Sequence, residues 1–231
     1  VRLVLAIALG ACSFRHGVEP ASGDMPDAAR SGDAAVADAP ATGSIAATRQ
    51  LVTGAIDLTA EGAIDWAEWG ATSASDFNHK ATGSTQIANC TVVGSGTVFG
   101  YGNAYNQAGN DGFTWSGGTP VANEPTAQYS GLWIDYAPNG FTTHVPASPT
   151  TRTLRMYVGA YNATGTFTAH LSDASAADYV DANGIGSTST SWAARYEVVY
   201  RSATAGATLT VSWVQSSAGG GDVNWSAASL H

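Results

Sequence analysis

Lysine and arginine are scarce in this chain, 9 in 231 residues against 18 aspartates and glutamates, for a formal net charge of -9. A protein so short of cations lacks the basic surface that nucleic acid or an anionic bilayer surface requires, and neither is an expected partner. Cysteine is nearly absent, with Cys12 and Cys90 alone, so no disulfide framework holds the fold. No apolar run reaches the ~20 residues of a membrane-spanning helix; the run from Leu3 to Ala11 is much shorter. Missing too are a Gly-rich phosphate loop ending in Lys-Ser/Thr and a Gly-x-Ser-x-Gly elbow. No histidine of the folded part has a second histidine or a cysteine at metal-ligand spacing. What is present is glycine (27), tryptophan (7), tyrosine (9) and 44% hydrophobic residues, enough for one core of ordinary size.

At the start of the chain, Arg2 precedes the apolar run Leu3 to Ala11, the pattern of a secretory signal. The closing residues Leu9-Gly10-Ala11-Cys12 resemble a bacterial lipoprotein signal. That resemblance implies that residues 1–11 are removed, that Cys12 receives diacylglycerol on sulfur and an acyl group on nitrogen, and that several acyl chains anchor the protein to a membrane. Ser13, where aspartate is absent, points to the outer membrane or cell surface. From 12 to 50 the composition is Ala, Asp, Gly, Pro and Ser, with no aromatic after Phe14. This reads as a disordered tether, its aspartates a solvated spacer and no calcium repeat. Cys90 sits in the β-branched run Ile87 to Val93, where a lone cysteine acts as a small buried apolar side chain.

From Leu51 to His231 the hydrophobic period is two and the expected class is all-β. Leu154, Met156 and Val158 alternate with polar or tyrosine positions, and so does Thr166 to Leu171 beyond the turn Asn162-Ala163-Thr164-Gly165. These two runs are expected to form a hairpin. Tyr196, Val198 and Tyr200 before the turn Ser202 to Gly206, with Leu209, Val211 and Trp213 after it, suggest a second hairpin. Asp222 to Leu230 reads as a closing strand. Nine or ten strands in ~180 residues exceed one open sheet, so the expectation is a two-sheet antiparallel β-sandwich with jelly-roll-like connections, a barrel being the alternative.

The segments Asp65 to Gly70, Phe77-Asn78-His79-Lys80, Phe113 to Pro120 and Pro146 to Asp173 resemble a module of bacterial secreted multidomain proteins that accompanies polysaccharide-degrading enzymes. In outline it is similar to galactose-binding-like and malectin-like β-sandwiches. That resemblance implies carbohydrate binding without catalysis. Aromatic faces stack on the C–H face of a pyranose, and the aromatics in or beside the Gly-rich loops are the candidates: Trp69, Trp115, Trp133, Tyr136, Tyr101 and Tyr105. Trp66 and Trp69, three apart, cannot share one strand face, so one of them is expected to be exposed. Asp57, Glu61, Asp65 and Glu68 read as carboxylates on a solvated loop, and His79 as a packing or hydrogen-bonding residue. Asp173, Asp178 and Asp181 follow a strand closely enough to hold a structural calcium ion; no other cofactor is expected. The expected function is that of a non-catalytic envelope lipoprotein binding extracellular or cell-wall glycan. A structural or adhesive protein with a protein partner is the main rival, and a glycoside hydrolase the third reading.

Overall fold

The computed structural model describes residues 42–100, 110–182, 184, 191–216 and 220–231. The strands in chain order are β1 (Ser44–Leu51), β2 (Gly54–Asp57), β3 (Asp65–Trp69), β4 (Phe77–Lys80), β5 (Thr91–Val93), β6 (Val98–Gly100) and β7 (Asn110–Ser116). They continue as β8 (Gly118–Thr119), β9 (Asn123–Gln128), β10 (Leu132–Asp135), β11 (Gly140–Ala147), β12 (Arg152–Tyr161) and β13 (Gly165–Leu171). The last four are β14 (Tyr179–Asp181), β15 (Ser191–Arg201), β16 (Ala207–Gln215) and β17 (Asp222–Leu230). One short helix, α1 (Leu58–Glu61), is capped by Asp57, whose carboxylate accepts from Thr59 N and Ala60 N. Among the described residues no helix is long and apolar enough to cross a membrane.

The chain is nearly all β, as its period-two patterning requires. A nine-stranded sheet runs β1-β15-β12-β17-β3-β4-β8, with β10 also paired to β17 and β6 to β10; a five-stranded sheet runs β14-β13-β16-β11-β5. Both are antiparallel, and their apolar faces meet in the main core. Leu154, Met156, Val158, Tyr196, Val198 and Tyr200 of the large sheet lie against Phe167, Leu171, Leu209, Val211 and Trp213 of the small one. The Phe167 and Tyr196 rings stack with centroids 4.0 Å apart and planes 3° from parallel. The tyrosine hydroxyls in this core are not orphaned: Tyr196 donates to Asp181 and Tyr200 to the Pro146 carbonyl, at 2.9 and 3.0 Å.

Neither expected hairpin forms. β12 pairs with β15 and β17, whereas β13 pairs with β14 and β16. Likewise β15 belongs to the large sheet and β16 to the small one. Both turns are therefore corners that carry the chain across the core. The alternation is the same in either case, because a hairpin places two apolar faces side by side and a corner places them opposite each other. Periodicity reports the face and not the sheet.

A third layer departs from the two-sheet expectation. A small sheet of β2, β7 and β9 and α1 pack on the outer face of the large sheet. Val52, Leu58, Trp66, Phe113, Trp115, Tyr157 and Ala227 form a second core there. This explains why β3 and the Ala227 half of β17 are buried on both faces and show no alternation in burial. Trp66 and Trp69 do point to opposite faces, but each face is covered and both indoles are fully buried. The expected exposed tryptophan is thus absent from this pair.

Ser44 to Gln50, read from composition as the end of the tether, form most of β1 and pair with β15 from Ser44↔Arg201 to Leu51↔Ala194. Ile45 and Ala47 pack on the main core. A fragment beginning at residue 42 is expected to melt cooperatively, and one beginning at Leu51 to melt about 5–10 °C lower, for roughly 3 kcal/mol of lost burial and pairing. Thermal melts of the two fragments check this, and equal midpoints would show that β1 contributes nothing.

Candidate functional site

The outer face of the large sheet is divided. Cross-strand neighbours in register share a face, and Tyr157↔Ala227 and Arg155↔Ser229 lie on the half beneath the third layer. Farther along the same strands the register brings Tyr161, Asp222 and Asp135 into one row, and Gly159, Asn224, Trp133 and Phe99 into the next row. Residues two apart on a strand face the same way, so Tyr161, Asp222, Asn224, Trp133, Asp135 and Phe99 all project outward. Their alternates Ala160, Val223, Ile134 and Leu132 fill the main core.

A cavity of about 540 Å³ lies on this part of the face, lined by Gly100, Trp133, Asp135, Tyr136, Tyr161, Gly220, Gly221 and Asp222. It falls within the roughly 300–1,000 Å³ of small-molecule sites. Trp133 stacks on Phe99 with centroids 4.3 Å apart and an interplanar angle of 20°, and Phe99 is 40% exposed. Tyr136 is 64% exposed and adopts φ of 64°, unusual for a residue with a β-carbon. Its backbone is held on both sides, its N–H donating to Gly221 O at 3.3 Å and its carbonyl accepting from Asn139 N at 2.9 Å. Asn139 further fixes the rim: its Nδ2 donates to Asp135 O at 2.7 Å, and its Oδ1 accepts from Ser95 N and Gly96 N. At the opposite rim Gly221 lies so close to the Tyr161 and Asn162 carbonyls that an added β-carbon would sit 2.3 to 2.4 Å from them. Asp222 accepts from Asn224 Nδ2 within the buried floor.

Of the aromatics proposed from sequence, Trp133 and Tyr136 line this cavity, and Trp69 and Trp115 do not. Trp69 is fully buried between Phe77 and Trp225, its Nε1 donating to Asn89 Oδ1 at 2.8 Å. Trp115 is 4% exposed in the second core, tilted against Trp66, with Nε1 donating to Val121 O. In these positions neither indole presents a face to a ligand. Tyr101, Tyr105 and Cys12 lie outside the described residues. Asp135, Tyr161, Asp222 and Phe99 were missed. The alternation Leu132-Trp133-Ile134-Asp135 already places Trp133 and Asp135 on one polar face, but nothing local brings Tyr161 and Asp222 beside them.

The three aspartates proposed for calcium do not converge. Asp173 is filled by protein donors, Ser202 Oγ, Ala203 N, Thr204 N and Thr204 Oγ1 on Oδ2 and Ser175 on Oδ1. These bonds, Ser202's first, hold its carboxyl well below the usual range. Asp178 pairs with His170, and Asp181 with Arg49 and the Tyr196 hydroxyl. No group of three potential ligands able to hold a metal ion occurs among the described residues.

Of the four carboxylates of the 57–68 segment, Asp57 is exposed at the cap of α1, and the other three are not on a solvated loop. Asp65 is buried and accepts from Gln86 N and Ile87 N at 2.6 and 2.9 Å. Glu61 accepts from Tyr157 Oη at 2.5 Å and lies near Arg155 and Arg195. His79 stacks on Phe77 and faces Lys80 O, a packing role. Burial pushes the Cys90 thiol up to about 12, which disfavours the thiolate. Glu68 is fully buried on the outer face of β3, with Oε2 accepting from Asn78 Nδ2 at 2.8 Å and no partner of hydrogen-bonding geometry for Oε1. Loss of solvent raises its carboxyl from 4.5 to about 7, against the opposing pull of Asn78 and Ser130.

No protein-family model and no curated protein matches the chain. Among solved structures it is similar to the enzymatically active domain of tailspike protein 4 of bacteriophage CBA120, at 15% identity and a TM-score of 0.31, over 64% of this chain. The match spans 20% of that chain's length.

Because Glu68 holds its proton more tightly folded than unfolded, the folded state loses stability as pH rises from 4.5 to about 7. Glu68→Gln is therefore expected to stabilise the protein at pH 8 by up to about 3 kcal/mol, with little effect at pH 4. Melting curves at the two pH values decide it; the same change at both would place the effect outside Glu68 ionisation.

Proposed function

We propose that this protein is a non-catalytic, lipid-anchored component of a bacterial cell envelope that binds extracellular or cell-wall glycan. The observation that carries the reading is the cavity on the open half of the large sheet, where Trp133, Tyr136 and Tyr161 surround two carboxylates. Aromatic faces with a few polar groups at fixed positions are what a pyranose needs: stacking for its C–H face and acceptors for its hydroxyls. The strained backbone of Tyr136, held by Gly221 and Asn139, supports a binding role, since such conformations persist where the surroundings enforce them.

Asp135 and Asp222 are adjacent on the floor of one sheet face. One observation weighs against the adhesive rival. An adhesive protein would present one broad apolar patch. Apart from Phe99 and Tyr136 at the cavity, the exposed large apolar side chains among the described residues are spread instead, Leu51 and Val199 on the large sheet, Val92 and Val180 on opposite edges of the five-stranded one, and Val121 between β8 and β9.

A glycan array probed with the purified protein tests the reading. Trp133→Ala is expected to weaken retention of a bound glycan at least tenfold, about the loss of a binding hot spot, while the melting temperature stays within a few degrees. Trp69→Ala and Trp115→Ala are expected to cost about 3–5 kcal/mol of stability instead. An array without any bound glycan, or release of reducing sugar from one, would refute the reading.

The anchor is tested separately. Cys12→Ala is expected to move the protein from the membrane fraction to the soluble fraction, and wild type recovered soluble and without acyl chains would refute the anchoring.

A further inference from the structure

The charge of the cavity narrows the ligand. Asp135 and Asp222 are directly opposed across β10 and β17, which places their β-carbons about 5 Å apart, and like charges so placed repel. Asn224 Nδ2 donates to Asp222, but none of the residues lining the cavity is basic. The internal segments whose placement is not described, 101–109, 183, 185–190 and 217–219, contain no lysine, arginine or histidine, and Arg2, Arg15, His16 and Arg30 belong to the segment 1–41 that precedes the folded part. The six lysine and arginine residues from residue 42 onward are used or sited elsewhere. Arg49 pairs with Asp181, Arg155 with Glu197, Arg195 with Glu61 and Gln50, Lys80 with the Gly62 and Ala63 carbonyls, and Arg152 with Gln86. Arg201 is exposed in register with Ser44, on the edge pair β1 and β15.

A neutral sugar does not require two opposed carboxylates, and a uronate or sulfated sugar would be repelled by them. A group carrying positive charge relieves their repulsion and gains from the aromatic faces of Trp133, Tyr136 and Tyr161. A bare metal ion is a poorer match. A hard cation of the calcium type takes six to eight oxygens, and the cavity brings two carboxylates together with no third acidic, histidine or cysteine ligand among the described residues. We infer that the cavity selects a sugar bearing a free amine, an ammonium seated between Asp135 and Asp222 with its ring against the aromatic wall. This rests on the glycan reading and specifies its ligand class.

The test is titration calorimetry of the purified full chain with three probes of equal length: a glucosamine oligomer, its N-acetylated counterpart and a glucuronate oligomer, all at pH 6. The glucosamine oligomer is expected to bind at least tenfold more tightly than the acetylated one, and the glucuronate oligomer not to bind. The preference should shrink severalfold between 50 and 500 mM salt, since it is electrostatic. In Asp135→Asn/Asp222→Asn it should fall to within about twofold of unity; if that variant fails to fold, the salt dependence of the wild-type preference decides. Equal or tighter binding of the acetylated oligomer would overturn the amine inference and leave the glycan reading standing. A preference for glucuronate, or calcium chloride competing with glucosamine at the site, would also overturn it. Binding of no oligomer of any kind would refute the glycan reading itself.

Discussion

The last strand of the chain, β17, is flanked by β12 on one side and by β3 and β10, end to end, on the other. Its inward side chains Val223, Trp225, Ala228 and Leu230 belong to the main core, and Ala227 belongs to the second core. The change in spacing between Trp225 and Ala227 marks a bulge against Tyr157/Val158. One extra residue there keeps the apolar set inward on both sides of the irregularity and bends the strand. Without that strand neither the large sheet nor the layers on its two faces would be continuous.

The division of the outer face follows from the same strand. Toward its end, β17 and its neighbours carry small or aromatic side chains that the third layer covers: Ala227, Tyr157 and Trp66. Toward its beginning it carries Asp222 and Asn224, which apolar layers cannot cover without leaving polar groups unpaired. The cavity occupies that polar half. Its rim is set by backbone bonds rather than by packing alone, through Asn139 to the 95–96 loop and Asp135, and through Gly220 O, which accepts from Asn162 Nδ2 at 2.7 Å.

Burial sorts the tryptophans by role. Trp66, Trp69, Trp115, Trp213 and Trp225 fill the two cores, and the indole beside the cavity, Trp133, sits in register with Phe99 and Asn224, one row from the pair Asp135 and Asp222. The same physics limits Glu68. It is fully buried with no cation beside it and a single neutral donor on Oε2, so the cost of its charge falls on the stability of the fold.

The sequence by itself determined the all-β class, because period two over runs such as Leu154 to Val158 and Leu209 to Trp213 fixes which side chains share a face. It also placed Trp133 and Tyr136 in or beside glycine-rich loops, and read His79 as a packing or hydrogen-bonding residue. Only the tertiary structure decided which sheet each face belongs to. Corners and hairpins have the same alternation, and that is why β12 and β13 were expected to pair and do not. It alone decided that Ser44 to Gln50 form an edge strand, since their small and polar residues look like tether until β15 supplies the partner hydrogen bonds. It alone decided that the faces of Trp69 and Trp115 are covered, since the indoles of Trp225 and Trp66 that meet them come from segments distant in the chain. The site itself was assembled last, by pairings between residues 132–135, 159–161 and 222–224 that are separated by tens of positions. Such long-range register is set by how the whole core closes, and no local pattern encodes it.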